Sequence, residues 1–363
     1  MINSSEKLAH GGNVWAAAQK WGKAPQEFLD YSANINPLGP CPGSLKAIED
    51  SLGLLVHYPE PTGETLKTSL GNYLQVAREN LVLGNGGSEL IYLLGRMYGN
   101  HRVLCLAPTF SEYGEGIESP RIIEIPLSAG TQFQLPTEKI LASMQAGDLV
   151  FLGNPNNPTG TLFPRQELIK IVEGAAEAQA MVVIDEAFID FVGDESCSLR
   201  DLAANHPQLI VIGSLTKFFA IPALRLGYAV AAGPISAAME RLLPTWRINT
   251  LAQAAALAAI DDQVYQDESI RLIQAERAFL TAELQNIKGL QVYPSATNFM
   301  LIDGQGTGIT AAELQARLGP KGILIRQCDS FHNLSPFYFR LAVKNRSDNR
   351  KLVAAVQEVL GLL

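Results

Sequence analysis

Cysteine is scarce in this 363-residue chain. Only Cys41, Cys105, Cys197 and Cys328 occur, with no C-x-x-C pair and no spacing suited to a metal. That pattern argues against a disulfide framework and a structural zinc site, and no metal is expected. Cys105, inside Val103-Leu-Cys-Leu106, reads as core. Clustered positive charge is missing too. Lys and Arg number 28 against 36 Asp and Glu, a formal net charge of −8, which argues against a nucleic-acid partner. Long apolar runs are also absent. The most apolar helical stretch, Leu251–Ile260, is too short to cross a bilayer and contains Gln253. The opening Met1-Ile-Asn-Ser-Ser-Glu6 has no apolar run of the signal-peptide kind. A cytoplasmic protein without membrane contact is expected.

What is present is apolar material, at 47% of residues, with 31 glycines and 20 prolines spread along the chain. A disordered tail carries far less, and a chain this long can bury a large core and divide into about two domains. The middle alternates short apolar runs with amphipathic ones. Strands are predicted at Arg102–Ala107, Ile122–Ile125, Asp148–Leu152, Ala180–Ile184, Leu209–Ile212 and Leu226–Val230. Several are apolar on both faces, as strands of a mostly parallel sheet between helices must be. Helices are predicted at Ser88–Gly99, Thr137–Gln145 and Arg165–Gln179. This βαβ rhythm, from about Tyr58 to Arg247, marks an α/β domain.

Beyond it, long helical stretches (Leu251–Lys288) precede strand-like runs at Asn298–Ile302, Ile323–Arg326 and Phe337–Val343, and a last helix at Arg350–Leu360. That order suggests a separate α+β domain. The expected division is residues 1–44 as an N-terminal arm and part of the small domain, 45–247 as the large domain and 248–363 as the C-terminal small domain.

Chemistry concentrates where predicted strands end. Lys217 follows a strand within Gly213-Ser-Leu-Thr-Lys-Phe-Phe219, amid apolar residues and eight positions before Arg225. A lysine so placed is a candidate for a depressed pKa, and a neutral amine can bond a carbonyl carbon. Asp185 lies where Met181-Val-Val-Ile184 ends, and Asn157 lies in Gly153-Asn-Pro-Asn-Asn-Pro-Thr-Gly160, again after a strand. Open α/β sheets place their sites in such loops, and a carboxylate there could keep a pyridinium nitrogen protonated. Leu83-Gly-Asn-Gly-Gly-Ser-Glu89 leads into a helix whose free N–H groups suit an anion.

Jointly, Asn157-Pro-Thr-Gly160, Asp185-Glu-Ala187 and Ser214-x-x-Lys217 with Arg225 resemble the fold-type-I pyridoxal-phosphate enzymes, the aspartate aminotransferase superfamily, over almost the whole chain. The resemblance implies an α/β fold, with a large domain on a mostly parallel sheet and a smaller α+β domain. It implies pyridoxal 5′-phosphate as cofactor, with Lys217 bonding its aldehyde, Asp185 pairing with the pyridine nitrogen and Asn157 hydrogen-bonding O3′. Gly87, Ser88, Ser214 and Arg225 would hold the cofactor phosphate, and Tyr113 would stack on the ring. Tyr58, in His57-Tyr-Pro59, would reach the phosphate of a second subunit, which implies a homodimer.

Within that superfamily, His10-Gly-Gly-Asn13 and Tyr31-Ser-Ala-Asn-Ile-Asn-Pro-Leu-Gly39 resemble the threonine-phosphate decarboxylases of cobalamin biosynthesis. Histidinol-phosphate aminotransferases share the Asn-Pro-Leu-Gly segment but not that start, and are the alternative. Phe188 points the same way, since the aminotransferases of this group usually carry Tyr there. The resemblance implies decarboxylation of L-threonine O-3-phosphate to (R)-1-amino-2-propanol O-2-phosphate. His10, Asn34, Asn157, Arg326 and Arg340 would gather the substrate's phosphate and carboxylate, with the division between the two anions left open. Planar guanidinium donors suit either anion.

Overall fold

A computed structural model describes residues 11–98, 102–115 and 121–361; His10 lies outside the described residues. After a helix at Val14–Trp21 and the short strand β1 (Leu29–Asp30), the chain enters a seven-stranded sheet. Its strands are β2 (Leu81–Gly84), β3 (Val103–Ala107), β4 (Ile122–Pro126), β5 (Leu149–Gly153), β6 (Met181–Asp185), β7 (Leu209–Ser214) and β8 (Gly227–Ala231). The C-terminal third adds β9 (Gln291–Val292), β10 (Phe299–Asp303), β11 (Ile323–Leu324), β12 (Arg326–Gln327) and β13 (Tyr338–Ala342).

The large sheet runs β2-β8-β7-β6-β5-β3-β4, with β8 antiparallel to both its neighbours and the other pairings parallel. Period-two alternation explains why its strands read as unbroken apolar runs. Leu104, Val150, Val182 and Val211 face one core, against Leu168, Ile171 and Val172 of helix Arg165–Ala178. Their chain neighbours Cys105, Phe151, Val183 and Ile212 face a second core, under Leu90, Ile91 and Leu94 of helix Gly87–Met97. Both faces are therefore covered, except along the edge strand β4, where Ile123 and Glu124 are exposed.

The six expected strands of this sheet form within a residue or two of their predicted ends. β2 escapes the pattern because it spans four residues and ends in glycine. The expected helical stretches within Leu251–Lys288 form as two helices, Thr250–Ile260 and Gln263–Gln285. Asp262 separates them, because its side chain accepts from the Tyr265 N–H and starts the second helix.

In the four-stranded sheet β12-β13-β10-β9, Arg326 stands opposite Arg340. β1 pairs in parallel with β11, so residues 29–30 are held against the C-terminal third of the same chain. Among the described residues no helix is long and apolar enough to cross a membrane.

Candidate active site

The carboxyl ends of β2, β5, β6 and β7 open onto one cavity, joined by the loop that leads into the reversed strand β8. It has two lobes. The first, about 120 Å³, is lined among others by Gly87, Ser88, Tyr113, Asp185, Ser214 and Lys217. The second, about 330 Å³, is lined among others by Gly11, Ser32, Asn34, Arg326, Phe331 and Arg340. Phe110, Asn157, Phe188, Lys217 and Arg225 face both.

Lys217 sits in a one-turn helix whose N-cap is Ser214, and Ser214 Oγ and Thr216 Oγ1 lie in hydrogen-bond contact at 2.8 Å. Its Nζ donates to Thr216 Oγ1 at 3.0 Å and lies 6.0 Å from the Phe188 ring centre. Burial pushes the amine's pKa down to about 8. Asp185 opposes this, while the charges of Arg225 and Arg340 reinforce it.

Asp185 ends β6 with its carboxylate doubly held. Tyr113 Oη donates to Oδ2 at 2.8 Å, and the Ala187 N–H donates to Oδ1 at 3.0 Å. Burial raises the Asp185 pKa, whereas the two donors and Lys217 lower it. Tyr113 is itself buried, its ring stacked on Phe151 with centroids 5.0 Å apart.

The lobe's far wall depends on glycine. Gly86 has φ +83°, and a Cβ there would lie 2.6 Å from the Arg225 guanidinium. A Cβ at Gly227 would lie 2.6 Å from the backbone nitrogen of Gly87. Arg225 can therefore approach the N-terminus of helix Gly87–Met97, where no side chain among the described residues caps the first N–H groups. Free N–H groups, a guanidinium and Ser214 form an anion cradle.

In the second lobe, Arg340 donates from Nη1 to Asn157 Oδ1 and from Nη2 to the Ser32 carbonyl at 2.7 Å. Burial holds its pKa down to about 10. Arg340 Nε and Asn34 Oδ1 are buried without a hydrogen-bond partner among the described residues. Both residues line the second lobe, and a buried unpaired polar group costs about 1–3 kcal/mol. Asn34 is placed by Asn36, whose backbone N–H donates to the Lys217 carbonyl at 3.1 Å and whose Nδ2 donates to the Phe218 carbonyl at 2.8 Å. Each arginine lies on an aromatic ring: Arg340 over Phe299 at 5.2 Å and Arg326 over Phe331 at 5.1 Å.

The aminotransferase class I and II family model matches residues 26–356. The chain belongs to that family. It is 35% identical over 356 residues to a threonine-phosphate decarboxylase of Salmonella typhimurium, covering 97% of this chain and 96% of that protein. It is also 35% identical over 360 residues to an adenosylcobalamin biosynthesis bifunctional protein of Leptospira interrogans, covering 96% of this chain but 41% of that longer protein. Among solved structures, the histidinol-phosphate aminotransferase of Clostridium acetobutylicum superposes with a TM-score of 0.84. That pair is 32% identical, covering 92% of this chain and 99% of the other.

For this aminotransferase-family chain, the fold brings Gly87, Ser88, Tyr113, Asn157, Asp185, Ser214, Lys217 and Arg225 together around the first lobe, and Asn34, Arg326 and Arg340 around the second. Tyr58 lines neither lobe. It is 81% exposed and stacks on Trp246 at 4.9 Å. Sequence reasoning overlooked Phe110, which faces both lobes, and Asn36, which fastens the N-terminal segment to the Lys217 turn. An aromatic directly after Ala107-Pro-Thr109 was the available signal for the first, and the Asn-Pro-Leu-Gly segment that Asn36 opens was the signal for the second.

Proposed function

We propose that this chain decarboxylates L-threonine O-3-phosphate to (R)-1-amino-2-propanol O-2-phosphate for cobalamin biosynthesis, with pyridoxal 5′-phosphate as cofactor, in the cytoplasm and as a homodimer. Two buried arginines in a lobe that abuts the Lys217 amine carry this reading: they suit a small molecule bearing both a phosphate and a carboxylate. The likeness to the Salmonella typhimurium decarboxylase over nearly the full length of both chains supports it.

The first lobe fits the cofactor chemically. It offers a partly desolvated amine for an aldehyde, a buried carboxylate for a pyridinium nitrogen, and the cradle of Gly87, Ser88, Ser214 and Arg225 for a phosphate. Asn157 would donate to the ring hydroxyl, and Tyr113 and Phe110 would bound the ring. Bound there, pyridoxal phosphate supplies an electron sink for the pair left when a bond at the substrate's Cα breaks.

The chain's own residues set which bond that is. Arg326, Arg340, Asn34 and His10 would pin the substrate's anionic ends so that the bond from Cα to the carboxylate, not Cα–H, is the one that breaks. Lys217 Nζ then delivers a proton to Cα once carbon dioxide has left. Quick protonation also protects the product, because a carbanion at Cα would expel the phosphate from Cβ. Phe188, packed edge-on against Phe299 at 4.9 Å, contributes no hydroxyl near Lys217.

The homodimer rests on exposed apolar side chains. Leu55 is 62% exposed, Val56 82% and Tyr58 81%, a surface a monomer seldom leaves open. Pairing would bring Tyr58 to the cofactor phosphate of the second copy.

Purified protein loaded with pyridoxal phosphate should release carbon dioxide from O-phospho-L-threonine, and Lys217→Ala should bind the cofactor noncovalently without turnover. Keto product formed from histidinol phosphate and 2-oxoglutarate, with no carbon dioxide from phosphothreonine, would replace this reading with the aminotransferase one.

A further inference from the structure

The connection between β12 and β13, residues 328–337, contains no regular element, yet it supports Arg326. Ser330 Oγ accepts from Arg326 Nη2 at 2.9 Å, and the Phe331 ring lies beneath the same guanidinium. Something must hold this segment still, and Asn333 is built to do so. Asn333 has φ +67° and commits its side-chain amide to the large sheet. Nδ2 donates to the Ala107 carbonyl at 3.0 Å and to the Leu127 carbonyl at 2.7 Å, at the end of β3 and just past β4. Turn bonds carry that anchor back along the chain: the Phe331 N–H donates to the Cys328 carbonyl at 3.1 Å and the Leu334 N–H to the Phe331 carbonyl at 3.3 Å.

We infer that Asn333 is a positioning residue that fixes Phe331 and Ser330, and through them the Arg326 guanidinium, for an anionic substrate. It acts at a distance, touching neither lobe. The neighbouring contact, His332 Nδ1 to Glu124 Oε1 at 2.5 Å, joins the same two parts of the chain, but the His332 side chain is largely solvent-exposed, and exposed pairs contribute little. The two amide bonds, not this exposed contact, hold the segment.

The substitution that isolates the amide is Asn333→Gly, because glycine keeps the left-handed backbone without strain. For the holoenzyme, KM for O-phospho-L-threonine should rise about tenfold, the loss expected of roughly one to two hydrogen bonds, with kcat within about twofold of wild type. Amide hydrogen exchange at residues 330–334 should quicken. Asn333→Asp, which turns a carboxylate toward two carbonyl oxygens, should be at least as impaired. His332→Ala and Glu124→Gln should stay within about twofold of wild type in KM. An unchanged KM and unchanged exchange in Asn333→Gly would overturn the inference, as would a His332→Ala effect equal to it. The kinetic arm rests on the phosphorylated-substrate reading above, whereas the exchange arm does not. Wild-type enzyme inert toward phosphothreonine would therefore refute that reading while leaving the exchange at residues 330–334 to decide the role of Asn333.

Discussion

Lys217 gives the most quantitative test, because the reactivity of the protein before cofactor attachment follows its titration. With a pKa of about 8 instead of the ordinary 10.5, the amine is roughly one-quarter neutral at pH 7.5, against about one part in a thousand for an unperturbed lysine. That is a difference of about 250-fold in nucleophile. The pKa is lowered in the folded site, so the reactive form accumulates as pH rises through about 8 and is saturated well before pH 10. Mixing cofactor-free protein with pyridoxal phosphate across pH 6–10.5, with borohydride trapping and peptide mapping to confirm Lys217, reads this midpoint directly. Two variants check its cause. Arg225→Gln removes a like charge and should move the midpoint up, whereas Asp185→Asn removes an opposite charge and should move it down. A rate still climbing above pH 9.5, or an Arg225→Gln midpoint below that of wild type, would show that burial and the arginines do not set this amine.

Two further outcomes follow from packing. Gly227→Ala puts a methyl 2.6 Å from the Gly87 nitrogen and 2.8 Å from the Gly86 carbonyl carbon, both backbone atoms. It should lower stability by about 1–3 kcal/mol in denaturant unfolding and weaken cofactor retention, and wild-type behaviour in both would refute the close approach. Val56→Glu alters a residue 82% exposed in the single chain, so the chain's own stability should change by less than about 0.5 kcal/mol. Light scattering should nevertheless show a dimer turning monomeric. A monomeric wild type, or a variant that remains dimeric, would remove the basis for the proposed interface.

How much of this was legible depended on whether the information was local. The strands β3, β5, β6 and β7 announce themselves because both faces are buried, leaving no polar residue to interrupt Val103–Ala107 or Leu209–Ile212. Lys217, Asp185 and Asn157 were legible because each lies at, or within a few residues of, the carboxyl end of such a strand. The opposition of Arg326 and Arg340 could not be read, since it is a matter of register between strands rather than of either sequence. Nor could the bond from Tyr113 to Asp185, whose partners stand 72 residues apart. The anchoring by Asn333 was hidden for the same reason: its acceptors are backbone carbonyls, which leave no trace in side-chain identity.

The two lobes also differ in when a growing chain can own them. Every residue lining the first falls between Gly87 and Arg225. The second needs Gly11, Gly12 and Ser32 from one end and Arg340 from the other, with Arg340 reaching Ser32 across 308 positions. During synthesis, the first lobe's lining is therefore complete over a hundred residues before the second lobe can close beside it. Under the proposed function, the order of construction matches the order of use: the reagent's seat first, the selective compartment last.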